Sequence, residues 1–174
     1  MKITTLETSH LILHTHTLED FPAHVAMRAD PKVMRHTAAG KTEAEDAAWN
    51  SFLRFPAHWQ YMGFVTWAIE EEESGHFIGD VGFAERKRDR GPELKGIPEM
   101  GWSRVSDAFG KGYATEAVRA ALAWGREKLG PVRVIALTSE DNIASMRVAE
   151  KCGFEEFKRD LSAGRPVRVF DRIL

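Results

Sequence analysis

The sequence predicts a mixed α/β fold with one central sheet and helices packed against it. Two observations carry this prediction. Runs with strand periodicity alternate with amphipathic stretches at spacings of three and four, in the order strand, two helices, three strands, helix, strand, helix, strand, strand. The 174 residues contain no internal repeat and no low-complexity linker, so a single domain over 1–174 is expected.

Each element has a local reason. HLILHTH (10–16) is apolar and then alternates, as a strand does. LEDFPAHVAMRADP (18–31) sets Phe21, Val25 and Arg28 on one helical stripe, and Pro31 ends the pattern. KTEAEDAAWNSFLRF (41–55) reads as a helix capped by Thr42, with Glu45 three residues on and Trp49, Phe52 and Phe55 at helical spacing. FVTWAIEEEESGHFIGDVGFAE (64–85) reads as two strands joined by a turn at Ser74-Gly75. RKRDRGPELKG (86–96) is a loop, since nothing in it anchors a buried face. IPEMGWSRV (97–105) resumes as a strand. Ala117, Val118, Ala121, Leu122, Gly125 and Leu129 then mark an amphipathic helix stopped by Gly130-Pro131. VRVIALT (132–138) is a strand and NIASMRVAEKC (142–152) a helix ended by Gly153; FEEFKR (154–159) and RPVRVF (165–170) are the final strands.

Composition narrows the function. The net charge is −2, far from the basic balance of a nucleic-acid binder. No run approaches 18 apolar residues, so no membrane span is expected. MKITTLETSH lacks the apolar core of a signal peptide. One cysteine, Cys152, excludes an internal disulfide and fits a reducing compartment, so a cytoplasmic location is expected.

FGKGYATEA (109–117) holds two glycines separated by one lysine and runs directly into a helix. It is not a P-loop, whose spacing is absent, and Thr115 stands where a dinucleotide fingerprint needs its third glycine. Two readings stay open: a tight turn before a helix, or an anion cradle. The cradle has a physical basis. The first N–H groups of a helix lack internal partners and its dipole is positive there. Small residues at 110, 112 and 114 let an anion approach the backbone, and Lys111 adds a charge.

GKGYATEA resembles the acyl-CoA-binding turn of the GNAT superfamily of N-acetyltransferases, in its RimJ/RimL-like (ribosomal-protein alanine acetyltransferase) branch. The last three places of Q/R-x-x-G-x-G/A fall on Gly112, Tyr113 and Ala114; the first falls on Phe109, an aromatic familiar in that branch. ETSHLILHTHTLED, DPKVMR, FIGDVGF, EMGW and N-x-x-S-x-R-V-x-E-K-x-G-F (142–154) match in order, covering roughly residues 5–160. The resemblance implies a mostly antiparallel sheet with splayed middle strands, and acetyl-CoA as co-substrate. It implies that the backbone of Gly110, Lys111, Gly112, Tyr113, Ala114 and Thr115 holds the pyrophosphate. Pantetheine then lies between IPEMGWSRV and VRVIALT, pairing near Val105, with Asn142 steadying it and Arg147 as a phosphate contact. The acceptor is a primary amine, either a peptide N-terminus or a small molecule, and relatives are often homodimers.

Acyl transfer from a thioester needs a neutral amine. At pH 7 a lysine-like amine of pKa near 10.4 is neutral about once in 2,500, whereas an α-amino group is neutral on the order of a tenth of the time. The thiolate leaves easily, so the base matters more than the acid. Glu99 is the candidate base, directly or through water; alternation places it on one face with Gly101, Ser103 and Val105. Glu116, in a first helical turn, better suits the dipole. Many relatives carry a tyrosine acid at the place of Ala149, where this chain has none, so Ser145, one turn away, is the candidate donor to the sulfur. Cys152 reads as core. His10, His14 and His16 lack a partner in a recognised metal spacing, and no metal is expected. The alternative function is an acyl-CoA sensor with the same fold and no turnover; a nucleotide-dependent phosphotransferase lacks its P-loop.

Overall fold

The computed structural model describes residues 4–37, 40–64, 66–87 and 91–174. The strands are β1 (Leu6–Glu7), β2 (Leu11–Thr15), β3 (Thr66–Glu71), β4 (His76–Ala84), β5 (Glu99–Arg104), β6 (Arg133–Ser139), β7 (Glu155–Ser162) and β8 (Arg165–Ile173). The helices are α1 (Phe21–Ala29), α2 (Pro31–Met34), α3 (Glu45–Met62), α4 (Tyr113–Leu129) and α5 (Ile143–Lys151). The strands form one sheet in the order β1-β2-β3-β4-β5-β6-β8-β7. All neighbours are antiparallel except β5 and β6. Those two run parallel because α4 carries the chain back between them. They pair only at Glu99–Ile135 and Met100–Ala136 and then part. The expected mixed α/β sheet with splayed middle strands is therefore what forms.

α4 covers one face. Its buried stripe of Ala114, Ala117, Val118, Ala121, Leu122, Trp124 and Gly125 packs on Trp67, Val81, Phe83 and Met100. Trp124 meets Trp67 edge-on at 5.0 Å. Gly125 sits where a Cβ would come within 2.7 Å of Phe83, so only glycine allows this closeness.

α1 and α3 cover part of the other face. Here three local expectations shift. In α1 the buried residues are His24 and Met27, not the stripe of Phe21, Val25 and Arg28, which is half-buried. Pro31 ends α1 but also opens the single turn α2, whose cap is Asp30 accepting the Lys32 N–H at 2.8 Å. α3 starts at Glu45 after Ala44, so the Thr42 capping box does not form. Of its aromatics, Phe52 is buried and Trp49 is 37 % exposed. The loop at 86–96 includes one 3-10 turn, Pro92–Leu94; residues 88–90 of that charged run lie outside the described residues.

Candidate active site

The glycine turn comes first. Gly112 is the N-cap of α4 with φ 84°, in the left-handed region, where a side chain is strained. The first helical hydrogen bond runs from Glu116 N–H to the Gly112 carbonyl. The N–H groups of Gly112, Tyr113, Ala114 and Thr115 thus have no acceptor within the helix. A Cβ built at Gly110 or Gly112 meets nothing within 4 Å, so the turn is open above its backbone and fits an anion the size of a pyrophosphate.

The parted strands lead from this turn into the sheet. Val105 donates its N–H to Ile78 of β4 at 2.9 Å, and its carbonyl accepts from Ala108. Both of its backbone groups are therefore occupied, and Val105 is not the pairing position the resemblance implied. Alternation assigns the groups facing the gap to Trp102 and Arg104. On β6 the Ile135 N–H reaches the Pro98 carbonyl at 3.0 Å, so Leu137 is the next β6 residue to face the gap.

A cavity of about 720 Å³ lies over β4 and β5 under α1, α2 and α3, and reaches Asn142 and Ser145. Its floor follows from register: Asp80 opposite Ser103, Gly82 opposite Gly101, Ala84 opposite Glu99. The paired glycines leave a trough between two carboxylates. Glu99 is 12 % exposed and its Oε1 lies 3.1 Å from Arg86 Nε. The Arg86 guanidinium extends over Gly101, 3.6 Å from the place of a Cβ. The trough thus runs from the glycine turn to a carboxylate beside the gap in the sheet.

Comparison with known proteins decides the family. Residues 10–155 match the model of the acetyltransferase (GNAT) domain. The chain is a GNAT acetyltransferase family member. It is 29 % identical over 154 residues to the uncharacterized N-acetyltransferase YoaA of Bacillus subtilis, covering 87 % of this chain and 82 % of that one. A structure from Bordetella pertussis assigned to the GnaT family superposes with TM-score 0.86 at 29 % identity, over 98 % and 99 % of the two chains. The RimL acetyltransferase of ribosomal L7/L12, solved with coenzyme A, shares the fold with TM-score 0.79 at 15 % identity over 98 % of each chain.

Other predicted residues of this GNAT domain fall in mixed places. Asn142 and Ser145 line the cavity. Asn142 caps α5 by accepting the Ser145 N–H at 3.1 Å. Ser145 is half-buried, whereas Ala149 is wholly buried in the core. Arg147 is exposed and does not line the cavity. Lys111 and Tyr113 are tied to Glu71 of β3, at 3.2 and 2.8 Å. Hydrogen bonds from Ser74, Tyr113 and Lys111 push that carboxyl down to about 2. Part of the Lys111 charge is therefore already matched. Glu116 is a tether: it accepts from Thr8 Oγ1 at 2.7 Å and from the His10 N–H at 2.9 Å. Cys152 is buried, and burial pushes its thiol up.

The sequence reading missed the cluster of His16, His24 and Asp80. Asp80 Oδ1 accepts from His16 Nε2 at 2.7 Å. His24 Nδ1 lies 3.3 Å from Oδ2 without hydrogen-bond alignment. Burial would raise the Asp80 carboxyl, but the two imidazoles outweigh it and hold the group below the ordinary carboxylate range. These are the His and carboxylate groups that converge as metal ligands would among the described residues. The 2.7 Å contact is nonetheless a shared proton's distance, shorter than the roughly 3.4 Å between two ligands each about 2.1 Å from a tetrahedral ion. The signal was present in FIGDVGF, a single charged residue within a buried strand. His10 and His14 go elsewhere, His10 to Glu116 at 3.0 Å and His14 to Glu70 at 3.6 Å.

Proposed function

We propose that the protein is an acetyl-CoA-dependent N-acetyltransferase of the RimJ/RimL-like kind, acting on a primary amine by direct attack in a ternary complex. One observation carries the reading: the split between β5 and β6 connects the open helix terminus at Gly112 to the carboxylate of Glu99. The N–H groups of Gly112 to Thr115 hold the donor's pyrophosphate. Trp102, Arg104 and Leu137 offer backbone groups to its arm, and Asn142 flanks it. The amine nitrogen forms a bond to the acyl carbon as the carbon–sulfur bond breaks. Glu99 takes the amine proton, directly or through one water, and Ser145 donates a hydrogen bond to the departing sulfur. The acceptor is a peptide N-terminus or a small amine. Homodimerisation and a cytoplasmic location belong to the same reading.

The test is thiol release from acetyl-CoA over a panel of N-terminal peptides and small amines, with acetylated products identified by mass. Amine-dependent release with a matching product is expected. CoA binding without acetylation of any amine would replace the enzyme by an acyl-CoA sensor.

A further inference from the structure

The charges around the cavity are unevenly matched. Each carboxylate lining it has a basic side chain as partner. Glu99 has Arg86, Glu43 has Arg28 at 2.9 Å, Glu85 has Lys87, and Asp80 has its two histidines. Arg54 of α3 also lines the cavity. It has no ion-pair or hydrogen-bond partner among the described residues.

Position separates this cation from the donor's phosphates. Arg54 lies one turn before His58, whose ring contacts the Glu85 carbonyl at 3.0 Å. Glu85 follows Ala84, the cross-strand partner of Glu99. Arg86 therefore stands at the Glu99 end, and Arg54 stands over the trough between Asp80, whose partner His16 stacks on Phe55, and Glu99. The donor's turn is at the other end of β5, where the Arg104 guanidinium lies 5.4 Å from the Phe109 ring. Five residues of strand separate the two ends by about 17 Å.

We infer that the Glu99 end is an anion subsite for the acceptor. The substrate class is a primary amine with a carboxylate close to it, such as an amino acid or a peptide acidic beside its N-terminus. Its amine meets Glu99 and its anionic group meets Arg54, with the Arg86 guanidinium across the floor. A polyamine would bring positive charge to Arg54 and Arg86 with no anion to match them. This inference rests on the acetyltransferase reading above.

The test compares acceptors that differ in charge but little in the amine itself. One pair is a serine-initiated tripeptide with aspartate or asparagine second; another is free glutamate and glutamine; spermidine is a third arm. In at least one pair kcat/KM should favour the acid by about tenfold, and raising salt from about 0.05 to 0.5 M should shrink that preference. The pair that responds tells free amino acid from peptide. Arg54→Gln should bring the ratio within about threefold and Arg54→Glu should invert it. Arg126→Gln, on the exposed side of α4, should leave the ratio alone. Equal or faster turnover of the amide in both pairs, or of spermidine against both acids, overturns the anion subsite and leaves the acetyltransferase standing. Absence of thiol release in every arm overturns both.

Discussion

Glu99 and Asp80 are two carboxylates four residues apart along one trough, and their partners give them different work. Glu99 keeps an edge in the cavity beside Arg86, whereas Asp80 is enclosed by two imidazoles. If Glu99 collects the proton, Glu99→Gln keeps the shape and loses the basic site, at a cost of typically 10²–10⁴-fold. The loss should be larger for a lysine-like amine than for an α-amino group, which supplies more neutral form unaided. In the variant kcat/KM should keep rising with pH while the wild type levels off; parallel profiles at similar rates would remove Glu99 from the mechanism. For Asp80 the sign runs the other way from a proton acceptor. Its folded carboxyl lies below the unfolded value near 3.9. Its stabilisation is thus complete above that value and lost as pH falls through the folded one. Asp80→Asn should cost about 1–3 kcal/mol at neutral pH, since it replaces the buried carboxylate that His16 Nε2 bonds. Urea unfolding should show the gap narrowing below about pH 4. An unchanged midpoint at pH 7 would mean the cluster adds nothing to stability.

At the scale of elements, legibility tracked whether a signal was local. The α4 start at Tyr113 was readable because a glycine that tolerates positive φ stands before a stripe of small apolar residues. The α1 face was not, because its inner residue is a histidine whose burial depends on an aspartate 56 positions away. The α3 capping box failed for a similar reason: Glu43 beside Thr42 is drawn to Arg28 in two contacts, and the helix begins later. Val105 was misjudged because sequence alternation gives side-chain faces but not which neighbour each backbone group bonds. The glycine turn can be tested at this scale by two substitutions with the same backbone strain. Gly112→Ala and Gly112→Asp both force a side chain to φ 84°, but only aspartate adds charge against a pyrophosphate. Calorimetry should show CoA affinity falling several-fold for alanine and at least a hundredfold for aspartate, a further ~2 kcal/mol or more. Equal losses would make the turn a conformational hinge rather than an anion cradle.

The whole molecule is two antiparallel half-sheets, β1 to β5 and β6 with β8 and β7, held together at the sheet by two residue pairs. Tight connections pair β1 with β2, β3 with β4 and β7 with β8, whereas β2 reaches β3 across α1 to α3 and β6 pairs with the non-sequential β8. The opening between the halves was legible only through family resemblance, because nothing in β5 or β6 alone says that the ladder stops at Met100. α4 bridges the halves from one face, packing on Phe83 of the first and near Leu174 beyond the last strand of the second. A ligand seated in the split therefore adds contacts between halves that the sheet itself does not make. Saturation with CoA at 100 times Kd should stabilise the fold by about 2.7 kcal/mol, roughly 5–10 °C in Tm for a chain of this size. Hydrogen exchange locates the effect. Protection should rise at Trp102, Arg104, Leu137 and the amides of 112–115, and stay level in β7 and its β8 ladder, which lie away from the split. Protection confined to α1 and α3, with no change along the split, would place the donor on the acceptor side and reverse the assignment of the two ends of the cavity.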